Sequence, residues 1–173
     1  MTYTGGEITQ RKVSVGGKDR QQLLAELDEA GVELNEYART LFGCDGFTTL
    51  STPHSLVTVE LTVKQLGFAH GASTLDLYAQ AESLGLGPAP LELGPHLRLQ
   101  YLERPEGCWG YLLTERRAPP GSITVTSVPL SEDDQFSRGF YLRRIKGTLW
   151  LRGYCCSDTT VWDADDRLVF CRL

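Results

Sequence analysis

The sequence predicts an α+β fold in which N-terminal helices pack on a C-terminal curved antiparallel sheet or partial barrel. In the first half, apolar residues recur at helical spacing between capping residues and glycines, whereas after Gly94 they alternate with a period of two. Helices precede strands without the βαβ alternation of a doubly wound nucleotide-binding fold. A length of 173 residues suits one core better than two, so we expect a single domain over residues 1–173, with residues 1–10 frayed.

Three helices are predicted in the first half, each with an apolar stripe and a glycine at its end. They cover Asp19–Ala30, Leu34–Phe42 and Ser73–Leu84. Asn35 is the predicted N-cap of the second helix, because an Asn side chain can accept a hydrogen bond from the first turn. Few residues separate the first two helices, so they are expected to form an αα pair joined by a short turn.

Strands are predicted where apolar and polar residues alternate. Two lie in the first half, Arg11–Val15 and Leu56–Val63. The others follow Gly94 and are separated by turn residues, which indicates an antiparallel meander. They are Leu97–Leu102, Trp109–Glu115, Ile123–Val128, Phe140–Ile145, Thr148–Tyr154 and Leu168–Cys171.

The hairpin around Lys146-Gly147 is the most informative segment of the chain. A two-residue loop there fixes the pairing of the strands, so Arg143 is opposite Trp150 and Tyr141 is opposite Arg152. One face is then a core face that carries Phe140, Leu142, Leu149 and Leu151. The other carries Tyr141, Arg143, Trp150, Arg152 and Tyr154.

This second face is the predicted binding site. Trp, Tyr and Arg dominate binding hot spots, and each arginine here lies across from an aromatic ring. If the sheet curls so that this face lines its concave side, Arg98 and Gln100 are expected to join it from the predicted Leu97–Leu102 strand. We therefore expect a non-catalytic binding protein that recognises a partner protein or a small anionic or aromatic ligand. The competing interpretation is an ordinary solvated sheet face with no ligand.

Two other functions are kept as alternatives. The first is a small hydrolase-like enzyme in which His96 is oriented by Glu92 or Glu115, since a general base needs a carboxylate within hydrogen-bond reach. The second is binding of single-stranded nucleic acid, because bases stack on aromatic side chains flanked by arginine. A net charge of −5 and a pI near 5.2 disfavour binding of duplex nucleic acid.

The remaining expectations concern cofactors and location. Five cysteines without C-x-x-C or Cys/His ligand spacing predict a reduced protein with no metal and no cofactor. The first residues lack the apolar core of a signal peptide, and no run approaches the length of a membrane span. The sequence thus predicts a soluble protein of the cytoplasm that does not bind membranes.

Four segments, taken in order along the chain, resemble a family of small uncharacterised bacterial proteins. They are Leu34–Phe42 (LNEYARTLF), Leu84–Leu102 (LGLGPAPLELGPHLRLQYL), Leu149–Tyr154 (LWLRGY) and Trp162–Phe170 (WDADDRLVF). Members of that family are sometimes labelled helicases, and the sequence disagrees with the label. It has no G-x-x-x-x-G-K-[ST] loop to hold phosphates, and 173 residues are too few for a motor core.

Overall fold

The fold is α+β, as the sequence predicts. The computed structural model describes residues 8–102, 119 and 121–173, and these form four helices and ten strands. The helices are α1 (Arg20–Glu29), α2 (Glu36–Gly43), α3 (Thr74–Ser83) and α4 (Leu93–Gln100). The strands are β1 (Thr9–Val15), β2 (Val32–Leu34), β3 (His54–Thr62), β4 (Ala72–Ser73), β5 (Leu86–Gly87), β6 (Ile123–Val125), β7 (Gly139–Ile145), β8 (Thr148–Tyr154), β9 (Val161–Trp162) and β10 (Arg167–Arg172).

The first three helices begin close to their predicted first residues, and Asn35 is an N-cap as predicted. Asp19, Asn35 and Ser73 each accept a hydrogen bond from a backbone N–H of the first turn of α1, α2 and α3. Gly31 and Gly85 follow α1 and α3 with φ of 68° and 71°, a conformation that favours glycine at a helix end. Local sequence alone therefore sets the bounds of these helices.

The main sheet is mixed rather than purely antiparallel. Its strand order is β1-β3-β10-β6-β7-β8-β2, and β5 pairs with β10 outside this path. β6 runs parallel to β10, and β2 runs parallel to β8. The predicted antiparallel meander is thus correct for β6, β7 and β8, but β10 returns to a position between β6 and β3.

The sheet curls around α4. This helix contacts β1 at one edge of the sheet and β7 and β8 near the other edge, so the face beneath it is concave. Gly94 is packed so tightly there that an added Cβ would lie 2.6 Å from the ring of Phe140. The concave face and α1, α2 and α4 share one hydrophobic core, which includes Leu23, Leu41 and Leu97.

The opposite, convex face carries a second hydrophobic core. Leu77 and Ala81 of α3 pack there against Leu168 and Phe170 of β10. Tyr154 of β8 belongs to the same core and meets Trp162 edge-on, with ring centroids 6.0 Å apart. Helices therefore cover both faces of the sheet in its central part.

The prediction of a strand over Leu97–Leu102 is wrong, because residues 93–100 form α4. The alternation of Leu97 and Leu99 with polar neighbours resembles a half-buried strand, but residues 93–98 are buried on every side of the helix. A helix that is buried all round has no polar face, so its helical period cannot be read from the sequence. Pro95 is compatible with this helix because it lies in the first turn.

Two further predictions differ from the structure. The turn expected between α1 and α2 contains β2, which pairs with β8 at the edge of the sheet. The strand expected to reach Val128 ends at Val125, although Ser127 still forms a bridge with Ala89. The predicted strand Trp109–Glu115 lies outside the described residues.

In the part of the chain that the structure describes, none of the helices has the length and apolar character needed to cross a membrane.

Candidate functional site

The register of the β7–β8 hairpin is the one that the sequence predicts. Arg143 pairs with Trp150, Tyr141 with Arg152 and Leu142 with Leu151. Lys146 and Gly147 form the turn with φ of 50° and 78°, as in a two-residue turn of type I′. Leu142 and Leu151 are completely buried on the concave face, so Trp150 and the two arginines lie on the convex face.

Arg143, Trp150 and Arg152 form a patch that we call the Arg–Trp patch. All three residues are half-buried. The guanidinium carbon of Arg152 lies 4.9 Å from the centroid of the Trp150 ring, which is cation–π geometry. Tyr141 lies beneath the patch with 4% exposure and is hydrogen-bonded to the side chain of Arg152. Burial raises the pKa of Tyr141, and the two nearby arginines oppose that rise.

Two tyrosines predicted on this face are not accessible. Tyr154 is 1% exposed, and its hydroxyl donates to the carbonyl of Val125 at 3.1 Å. Tyr141 is 4% exposed. α3 and β9 cover this end of the face, a contact that the hairpin sequence alone does not specify. The accessible part of the predicted site is therefore the Arg–Trp patch.

Arg98 does not join this patch. It lies on α4, which packs on the concave face, whereas the patch is on the convex face. Its side chain is completely buried, and its guanidinium donates to the carbonyl of Tyr101. The prediction that placed Arg98 beside Trp150 depended on the strand that the structure replaces with a helix.

His96 and Glu92, the residues of the enzymatic alternative, are both buried in the concave core. Nε2 of His96 lies 3.9 Å from Oε2 of Glu92, which is beyond hydrogen-bond distance. The Glu92 carboxylate instead accepts from the backbone N–H of Leu50 at 3.3 Å. Burial lowers the pKa of His96 and raises that of Glu92, so burial disfavours the charged form of each. At 3% exposure His96 is closed to a substrate, and Glu115 lies outside the described residues.

The surface also has a cleft that was not predicted as a site from the sequence, although consecutive acidic residues line it. A cleft of about 490 Å³ is lined by the loop that contains Glu132, Asp133 and Asp134 and by Asp158. At its side Arg138 is 7% exposed and donates to Asp158 at 2.8 Å. Three consecutive acidic residues predict no more than a connection between strands, because a cavity depends on loops that meet in space.

A second depression of about 390 Å³ shares Leu130 with this cleft. Three large apolar side chains line it and are well exposed: Leu50 at 56%, Val128 at 62% and Leu130 at 40%. We call the two depressions together the acid-rimmed groove. Of these three apolar residues, Val128 alone ends a predicted strand, Ile123–Val128.

The cysteines and acidic residues form no metal centre among residues 8–102, 119 and 121–173. Cys44, Cys155, Cys156 and Cys171 are free thiols. Burial raises the pKa of Cys156 and that of Cys171 to about 11, so neither thiol is activated as a nucleophile.

The chain was compared with family models, with curated proteins and with solved structures, and none of them matches it. The resemblance to small bacterial proteins stays a prediction.

Proposed function

We propose that this chain is a non-catalytic binding protein and that it recognises an anionic group through the Arg–Trp patch. The observation that carries the proposal is the placement of Arg152 over Trp150, on a rigid paired hairpin and at a half-buried position. Such a pair combines a large apolar area with a directed donor fork at a modest cost in conformational entropy.

The surroundings of Arg152 support this role. Its Nε is buried without a hydrogen-bond partner, and no carboxylate in the described part of the chain forms an ion pair with it. A guanidinium held by an indole on one side and a tyrosine hydroxyl below keeps donors available for a carboxylate or phosphate. A preorganised arginine loses little freedom when an anion binds.

The binding function fits the site better than the two alternatives. A general base must reach a substrate, and His96 is 3% exposed. A stacking platform for single-stranded nucleic acid needs several exposed rings. Of the three rings that the described β7–β8 hairpin places on this face, Tyr141 and Tyr154 are buried and Trp150 is half-buried. The natural occupant is an acidic segment of a partner protein or a small anionic or aromatic ligand.

Fluorescence of the full chain tests the proposal with defined probes. Short peptides with two glutamates beside a phenylalanine, and the same peptides with glutamine, are titrated while quenching of the tryptophan fluorescence is followed. We expect the acidic peptide to bind and Arg152→Ala to weaken it by about 10- to 100-fold, the effect of losing a charge-assisted hydrogen bond. The Trp150→Ala variant lacks the indole of the patch, so its binding is measured by the fluorescence anisotropy of a labelled peptide instead.

Arg39→Ala is the matched control, because Arg39 is exposed on α2 and its replacement removes the same charge at a different place on the surface. It should change the affinity less than about twofold, since the interaction of separated surface charges is screened by salt. Equal losses in the Arg39 and Arg152 variants would mean that only net charge matters and that the patch is not a site.

A further inference from the structure

The strongest feature outside the Arg–Trp patch is the acid-rimmed groove, where a polar cleft and an apolar depression meet at Leu130. Large exposed apolar side chains normally occur singly on a protein surface. Here Leu50, Val128 and Leu130 line one depression of about 390 Å³. A contiguous apolar surface of this kind is typical of a place where another protein binds.

The adjoining cleft gives this surface a definite charge. Glu132, Asp133 and Asp134 are exposed at its rim, and their carboxylates form no ion pair in the described part of the chain. Among the described residues that line the cleft, the one cation is Arg138, which is buried and already bound to Asp158 at 2.8 Å. Within the described part of the chain, the carboxylates of the rim are therefore unpaired, and they lie directly beside the apolar depression.

The loop that carries these carboxylates is held in shape. The hydroxyl of Ser131 accepts from the N–H of Asp133, and a carboxylate oxygen of Asp133 accepts from the N–H of Gln135 at 2.9 Å. Leu130, at the base of the loop, would lie 3.0 Å from a Cβ added to Gly46, so it packs closely on the neighbouring loop. A preformed loop pays less ordering entropy on binding.

We infer that the acid-rimmed groove binds a segment of another protein in which lysine or arginine residues adjoin bulky apolar ones. The cationic side chains pair with the carboxylates of the rim, and the apolar ones cover Leu50, Val128 and Leu130. Charge complementarity selects this occupant. A symmetric second copy would place one acidic rim near another, and an anionic membrane would be repelled by the same carboxylates.

The probe is a short labelled peptide with two arginines followed by two leucines, and binding to the full chain is measured by fluorescence anisotropy. Two control peptides separate the contribution of charge from that of apolar contact. In one, glutamate replaces arginine, and in the other, serine replaces leucine. We expect the first peptide to bind at least about tenfold more tightly than either of the others, since both charge and apolar contact contribute.

Matched variants locate the binding site. Val128→Ser and the double variant Asp133→Asn/Asp134→Asn should each weaken binding about five- to tenfold. The controls change the same residue types elsewhere: Val57→Ser on β3, and Asp28→Asn/Glu29→Gln at the end of α1. All of these side chains are exposed, so the variants remain folded, and the controls should bind within about twofold of the wild type.

Amide chemical shifts give an independent readout, because peptide binding should perturb Leu50, Val128 and the 130–134 loop first. Arg152→Ala should leave this binding unchanged, which separates the groove from the Arg–Trp patch. Three outcomes overturn the inference: equal affinity for the serine peptide, equal losses in the control variants, or shift changes centred elsewhere. Association of the chain with itself that Val128→Ser abolishes would also overturn it, since the occupant would then be a second copy.

Discussion

Asn35 and Gly153 exchange two hydrogen bonds, although 118 residues separate them in the chain. Nδ2 of Asn35 donates to the carbonyl of Gly153 at 3.1 Å, and the N–H of Gly153 donates to Oδ1 of Asn35 at 2.8 Å. The same Oδ1 caps α2 by accepting from Ala38 at 2.9 Å. The side chain thus continues the pairing of β2 with β8 at the point where the backbone of β2 ends.

We predict that Asn35→Ala is more destabilising than the loss of an ordinary helix cap. The substitution removes a cap and leaves two backbone groups of Gly153 without their partner, so the free energy of unfolding should fall by about 2–4 kcal/mol. Asp19→Ala, which removes the exposed cap of α1, should cost about 1 kcal/mol. Urea titrations of both variants measure the difference, and similar losses would contradict the double role of Asn35.

The close contact between α4 and β7 gives a second prediction. Replacing glycine by alanine inside a helix normally stabilises a protein by up to about 1 kcal/mol. At Gly94 the new Cβ would lie 2.6 Å from the ring of Phe140, so Gly94→Ala should instead destabilise the protein by about 1–3 kcal/mol. Gly43, at the end of α2, has no atom within 4 Å of the added Cβ, and Gly43→Ala should be neutral or stabilising. Thermal unfolding of the two variants tests the opposite signs.

Neighbouring residues of β8 on opposite faces should differ sharply in their effect on stability. Leu151 is completely buried, so Leu151→Ala should cost about 2–5 kcal/mol through the cavity that it leaves. Arg152 is half-buried and bound by a cation–π contact, so Arg152→Ala should cost about 1 kcal/mol. Urea midpoints decide the comparison. If Arg152→Ala unfolds as readily as Leu151→Ala, this arginine is structural and the proposed patch loses its main residue.

Acid should destabilise the protein partly through His96. Burial lowers the pKa of His96 below 6.5, so the unfolded chain takes up this proton first as the pH falls. The stability that the neutral imidazole contributes is present above pH 6.5 and is lost as the pH falls toward the lowered pKa. Glu92 has the opposite sign: burial raises its pKa above 4.5, so its contribution decreases as the pH rises from that value.

The comparison for this prediction is made by urea unfolding between about pH 7 and pH 5. His96→Gln should show a smaller loss of stability over that range than the wild type. His70→Gln, a change at an exposed position, should keep the wild-type pH dependence. If the stability of His96→Gln depends on pH as that of the wild type does, other groups account for the acid sensitivity.

The local features of this fold are readable from the sequence because they depend on neighbouring residues. The caps at Asp19, Asn35 and Ser73 involve residues three positions away, and the register of the hairpin follows from the two-residue loop at Lys146-Gly147. The prediction that Trp150 is opposite Arg143 needed no knowledge of the rest of the chain.

Burial by distant elements could not be predicted. Glu60 alternates with Val59 and Leu61, which indicates a strand face open to water, yet Glu60 is 4% exposed. Its carboxylate binds Arg11 at 2.8 Å and Arg167 at 3.1 Å. β3 is a central strand covered on both faces, and the alternating pattern does not reveal which polar residues will find partners across the sheet.

The candidate sites also combine features that local sequence determines with features that tertiary contacts decide. The sequence by itself determined that Arg143, Trp150 and Arg152 share one face, because a strand has a period of two and the turn fixes the register. Only the tertiary structure decided that Tyr154 is buried by α3 and β9, that Arg98 lies on a helix on the other face, and that the acid-rimmed groove exists. These outcomes depend on contacts between segments far apart in the chain, and such contacts are selected by how the whole chain packs rather than by any local pattern.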